Sequence, residues 1–209
     1  MELLHTFAAK HLPMRIIFLA LLALTTPAAA LAGPDIPLIA IGLPFAPEAP
    51  KPLSPEHPLF GRITFAQIDQ LPGSVRFSVA APGSIHKGLR DTLAQMKMLA
   101  PDAPSAKVRL IARWVSVEPS SPFVAKGDAS ATLAYQLVRI DTGETIFQRT
   151  IRTTIKASGS HLDGTMGGRR GAVAVNFASL AFCLDKAALG SAPADCALQP
   201  LFGVNLRRF

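Results

Sequence analysis

Residues 129–157 read ASATLAYQLVRIDTGETIFQRTIRTTIKA, and this stretch decides the fold class. Ala129 to Ile140 and Glu144 to Ala157 are both rich in β-branched and other apolar residues, a composition that suits a pleated, half-buried surface. In the second run Phe147, Ile151 and Ile155 share one face, while Gln148, Arg152, Thr154 and Lys156 share the other. Side chains alternate across a strand, so one face of the resulting sheet is wet. Between the runs lies Asp141-Thr142-Gly143-Glu144, whose glycine supplies the positive φ of a short hairpin loop.

Upstream, Lys107 to Glu118 (KVRLIARWVSVE) predicts a third strand, bounded by the turn Pro119-Ser120-Ser121-Pro122. Arg62 to Asp69 alternates as a strand, and Val75 to Val79 reads as a second, short one. Between them and Lys107, Ile85, Leu89, Leu93 and Met96 form a 3.6-residue stripe that ends at Pro101, with Ser84 as N-cap. Downstream, a glycine-rich loop from Gly159 to Gly171 leads into a second helix, from Arg169 or Ala172 to Leu189. Its Val173, Phe177, Leu180, Phe182 and Leu184 leave little polar surface, which makes it the more buried of the two. The order strand, helix, strands, helix predicts an α+β fold, an antiparallel sheet of about four to five strands with two helices on one face.

The hairpin pattern Tyr135, Leu137, Thr142-Gly143-Glu144 and Ile146-Phe147, followed by a loop and a long C-terminal helix, resembles small periplasmic accessory proteins of envelope lipid transport and assembly. These include the auxiliary lipoproteins of ABC-type transporters. The resemblance covers roughly residues 61 to 189 in pattern. It implies an envelope accessory role and transfers no functional residue. The sequence departs from the lipoproteins in lacking a cysteine at the processing site, so it does not imply outer-membrane anchoring.

The N-terminus explains the compartment. Met14-Arg15, the apolar run Ile16 to Leu24, Pro27 and Ala30-Leu31-Ala32 give the order of an export signal, with cleavage expected before Gly33. The residues before Met14 are either an overlong leading region or lie ahead of the true start. Nine strongly apolar residues fall short of a bilayer crossing, and no later stretch offers the ~18 uninterrupted apolar residues of a transmembrane helix. From Gly33 to Phe60 the chain carries eight prolines, a composition that predicts an extended arm. Its Ile36, Leu38, Ile39, Ile41 and Phe45 predict that part of it packs on the domain or on a partner. The expected organisation is a signal peptide over 1–32, an arm over 33–60, an α+β domain over 61–189 and a tail over 190–209. Oxidising conditions outside the cytoplasm predict that Cys183 and Cys196 form a disulfide tying back that tail.

Candidate chemistry is sparse. Ser84-Ile85-His86-Lys87 has the S-x-x-K spacing of acyl-serine enzymes, yet neither S-D-N nor K-T-G accompanies it, and Lys126-Gly127-Asp128 only partly echoes the latter. A helix cap explains Ser84 as well. His161 and Asp163 lack a third partner for a metal, and His57 and His86 read as surface residues, so no metal and no cofactor are expected. Gly167, Gly168, Arg169 and Arg170 form the most suggestive stretch, because free amides at a helix start beside two arginines make an anion site. The competing reading is a loop that only lets the chain enter the helix.

From Gly61 onward 18 Lys or Arg face 10 Asp or Glu, whereas the arm has one lysine against three acids. Export and the lack of aromatic stacking motifs argue against nucleic acid. The expected partner is an envelope protein or an anionic envelope lipid or lipopolysaccharide. The function expected is a non-catalytic, periplasmic or secreted binding or accessory module, and the alternative is a small secreted serine hydrolase using Ser84 and Lys87.

Overall fold

The computed structural model describes residues 38–66, 68, 82–118, 128–156 and 161–201, and at 82 and 161–166 the backbone alone. In chain order these residues form β1 (Phe45–Ala46), β2 (Ile63–Phe65), α1 (Pro82–Gln95), β3 (Val108–Glu118), β4 (Asp128–Arg139), β5 (Thr145–Lys156), α2 (His161–Ala188) and β6 (Gln199–Pro200). The fold is α+β, with a four-stranded sheet in the order β2-β3-β4-β5 and a separate two-stranded ribbon of β1 and β6. The signal segment 1–32, the short strand expected at Val75 to Val79 and the Pro119 to Pro122 turn lie outside the described residues.

The hairpin forms as the alternation dictates. Gly143 takes φ 73°, where a side chain would be strained, and its amide donates to the Arg139 carbonyl at 3.0 Å. Two bulges interrupt the ladders, one at Val115 between Trp114 and Ser116, the other at Ile146, which the partners Phe147 and Thr145 leave unpaired. The first bulge changes the phase of β3. Val108, Leu110, Ala112 and Trp114 face inward on even positions, and Val117 returns inward on an odd one.

The expectation of an antiparallel sheet is corrected at its edge, because β2 pairs parallel with β3 in the register Ile63 to Val108. Adjacent parallel strands need a long crossover connection, and α1 is part of it. The strand–helix–strand order of residues 62–118 was the sign of this unit.

α2 packs on β4 and β5, and α1 packs against α2. Residues 168–184 are buried without interruption, the polar Arg169, Arg170, Asn176 and Ser179 included, so α2 is a core helix. The span Gly167–Ala188 is long and apolar enough to cross a membrane by length and composition, and here it is 78% buried inside the fold. The loop expected over Gly159 to Gly171 is corrected too, since α2 begins at His161. Each glycine costs a helix ~1 kcal/mol, and the burial of the helix on the sheet outweighs that.

The proline-rich segment packs on the domain through its apolar residues. Its described part, 38–60, belongs to the same core as the sheet, with Leu38, Ala40, Phe45, Leu53 and Leu59 all buried. Prolines remove donors from this segment, and the amides that remain find partners. Leu53 donates to Met96 at 3.1 Å and Gly61 to Lys97 at 2.8 Å. Leu38 lies so close to α1 that a Cβ placed on Gly88 would stand 2.7 Å from the Leu38 Cβ. The tail is fixed in the same way. β6 pairs antiparallel with β1, Leu198 is fully buried, and its amide donates to Ser179 Oγ at 3.0 Å.

Candidate functional site: the open face of the sheet

Because α2 covers one face of β4 and β5, the alternating residues on the other face meet no helix among the described residues. The register lays them out in rows. Arg109 stands beside Val138; Ile111 beside Gln136 and Gln148; Arg113 beside Ala134 and Thr150; Ser116 beside Thr132 and Arg152; Glu118 beside Ser130 and Thr154. Arg109, Arg113, Gln148, Thr150, Arg152 and Lys156 are exposed.

Charge is balanced at one end of this face and unbalanced at the other. Arg152 Nη2 donates to Glu118 Oε2 at 2.9 Å and to Ser130 Oγ at 3.4 Å, while Ser130 Oγ donates to the same carboxylate at 3.2 Å. Three strands are thereby strapped together, and Asp128 stands opposite Lys156 beyond them. Arg109 and Arg113 have no ion pair among the described residues. Lys156 likewise has no ion pair among them but stands opposite Asp128, so the cations of this face without an acidic neighbour in the register are Arg109 and Arg113 on β3.

The stretch Gly167, Gly168, Arg169 and Arg170 does not open a helix, which corrects the premise of the anion site. Six helical residues precede Gly167, so these amides lie within the helix rather than among its unpaired first four. Arg169 is 0% exposed and Arg170 8% exposed, and burial lowers the pKa of both guanidinium groups.

Ser84 lies inside the first turn of α1, which begins at Pro82, instead of capping it, and it is buried. Lys87 is largely exposed and pairs with Asp91 one turn on. Ser84 and Lys87 thus differ in burial, and the lysine's described partner is the Asp91 carboxylate. Among the described residues no group of three or more His, Cys, Asp or Glu could hold a metal. The side chains of His161 and Asp163 lie outside the described residues.

Two residues depart from the surface reading. His57 has a 6% exposed side chain; its Nδ1 accepts the Leu59 amide at 3.1 Å, and its Nε2 lies 3.3 Å from Asp185 Oδ1. Next to Asp185, Lys186 reaches Glu48 at 2.6 Å and lies over the Phe182 ring. The hydrogen bond with Glu48 raises the lysine pKa and lowers that of the carboxylate. This group clamps the proline-rich segment to the end of α2. His86 packs its ring 4.8 Å from that of Phe65. Sequence reading missed these pairings because the partners are distant along the chain. It also placed the wet face correctly without marking Arg109 and Arg113 within it.

Cys183, at the inner end of α2, is joined to Cys196 in a disulfide, with Cα atoms 5.3 Å apart.

No protein-family model matches the sequence, and no curated protein matches it either. Several solved structures have a similar backbone arrangement. A Xanthomonas campestris protein described by the family DUF330 matches 68% of this chain and 93% of its own at 11% identity, with a TM-score of 0.46. The hypothetical protein CT253 from Chlamydia trachomatis matches 62% and 98% at 12% identity, with a TM-score of 0.47. A PelC dodecamer from Paraburkholderia phytofirmans matches 70% and 96% at 14% identity, with a TM-score of 0.39. No residue role passes from them to this chain.

Proposed function

We propose that this chain is an exported accessory or binding module of the bacterial envelope that performs no catalysis. The observation carrying the reading is the Cys183–Cys196 disulfide, which fits a compartment where thiols oxidise. The leader order Met14-Arg15, apolar run and Ala30-Leu31-Ala32 supports the same compartment from the other end of the chain. An open, basic sheet face supports binding to an anionic envelope partner, the chemistry expected of lipid transport or assembly. Burial of Ser84 and the pairing of Lys87 with Asp91 weigh against the hydrolase alternative.

Expression of the whole chain in an exporting bacterium, followed by fractionation and intact mass with and without reductant, tests this. The expected product starts at Gly33 and resists alkylation until reduced. A full-length chain in the cytoplasm with two alkylated thiols overturns export. Fluorophosphonate labelling that disappears in Ser84→Ala overturns the non-catalytic reading.

A further inference from the structure

Resting on export, we infer that the open face of the sheet, centred on Arg109 and Arg113, docks onto an anionic phospholipid surface. The argument begins with spacing. Arg109 and Arg113 are four residues apart on one strand, about 13 Å at ~3.3 Å per residue, and β5 lies two strand spacings away, about 10 Å. Cations spread in this way present charge along the face rather than at one point. They meet a laterally continuous layer of negative charge together.

The apolar residues point the same way. The additional residue of each bulge is an exposed aliphatic, Val115 at 58% and Ile146 at 41%. Exposed aliphatics on β3 and β5, the strands that also carry the guanidinium groups, match the boundary between headgroups and acyl chains, where apolar burial adds to attraction by anionic lipid. An acidic protein surface would match the charge and leave these aliphatics unexplained. Neutralisation of Arg152 by Glu118 leaves the β3 arginines as the contacts that matter most.

The test uses the disulfide-bonded protein recovered from an exporting host and co-sedimentation with two sets of vesicles. One set is phosphatidylcholine; the other is equal parts phosphatidylcholine and phosphatidylglycerol. Binding is expected to the second set only, and to weaken with salt, since the screening length is about 8 Å at physiological ionic strength. Each cation near such a surface multiplies binding about five-fold, so Arg109→Gln/Arg113→Gln is expected to lose roughly twenty- to thirty-fold. Lys51→Gln/Arg90→Gln removes the same charge from exposed positions off the sheet and is expected to lose only a few-fold. An unchanged thermal midpoint shows that both variants fold.

Equal losses in the two pairs overturn the inference, because bulk charge then suffices. Equal binding to both vesicle sets, or to neither, also overturns it. Retention on immobilised polyglutamate without vesicle binding reassigns the face to an acidic protein. An exported, disulfide-linked chain that ignores vesicles refutes this inference and leaves export standing.

Discussion

Tyr135 and Asn176 meet in the middle of the core, the phenol of β4 donating to the Asn176 Oδ1 of α2 at 2.7 Å. The amide of Asn176 in turn donates to the carbonyls of Ala131 at 3.1 Å and Ile151 at 2.9 Å, and Thr153 Oγ1 donates to the Ala172 carbonyl at 2.7 Å. These bonds fix the position of α2 along the sheet, which apolar contacts alone leave free to slide. Tyr135→Phe is expected to cost about 1 to 3 kcal/mol, because it leaves a buried acceptor short of its donor. Asn176→Leu should cost more, and in the double variant the two losses should not add. Denaturant unfolding of the three variants measures all of this, and simple additivity would refute the coupling.

Burial pushes the Tyr135 phenol well above its ordinary pKa. The unfolded chain loses that proton near pH 10, while the folded chain keeps it. With the folded pKa raised, the associated stability is fully present below the unfolded value and is lost as pH climbs past it. Tyr135 is the only tyrosine in the chain, so ultraviolet titration reads it alone. The expected outcome is no phenolate until alkaline unfolding, the two appearing in one transition; phenolate in a still-folded chain would contradict the burial.

Glycine-to-alanine changes in the helices should differ in sign. In an exposed helix the change stabilises by up to ~1 kcal/mol, and Gly83 and Gly167 have nothing within 4 Å of an added Cβ. At Gly88 the same methyl would lie 2.7 Å from the Leu38 Cβ and 3.0 Å from its carbonyl oxygen. Gly88→Ala should therefore destabilise and release residues 38–60 to limited proteolysis. A rise in thermal midpoint would contradict that packing.

Arg149 occupies the inward-facing parity of β5, opposite Tyr135, yet it is exposed, and among the described residues β5 pairs only with β4. A charge at such a position blocks edge-to-edge pairing of strands. Arg149→Val should leave the fold intact and increase concentration-dependent aggregation, read by light scattering. Unchanged scattering would mean that the edge is guarded elsewhere.

Reduction of Cys183–Cys196 should lower stability by about 3 kcal/mol, the loop-closure contribution for a separation of 13 residues. Exchange of backbone amides should rise first at β6 and its partner β1. A uniform rise across the sheet would show that the tail is held independently of the bridge.

The hairpin and the wet face were legible because a period of two survives in β5 without help from distant residues. The start of α2 was not, since Gly164, Gly167, Gly168 and Gly171 read locally as loop, and the burial of residues 168–184 that favours the helix is not visible in a local window. The parallel pairing of β2 depended on recognising a crossover, and the packing of 38–60 on partners more than thirty residues away, such as Met96 and Lys97. Of the site, the sequence showed which face would be open. That Glu118 neutralises Arg152 and leaves Arg109 and Arg113 unpaired required the register.

The ribbon joining Phe45 to Pro200 sets an order on the birth of the molecule. Its two strands come from opposite ends of the described chain, so the first must wait for the last before either has a partner. A chain emerging from the ribosome can form its hairpin early, but Phe45 has no strand partner until synthesis is nearly complete. Contacts of such long range are also slow to form. The architecture thus delays its own closure until the last strand of the described chain has been made.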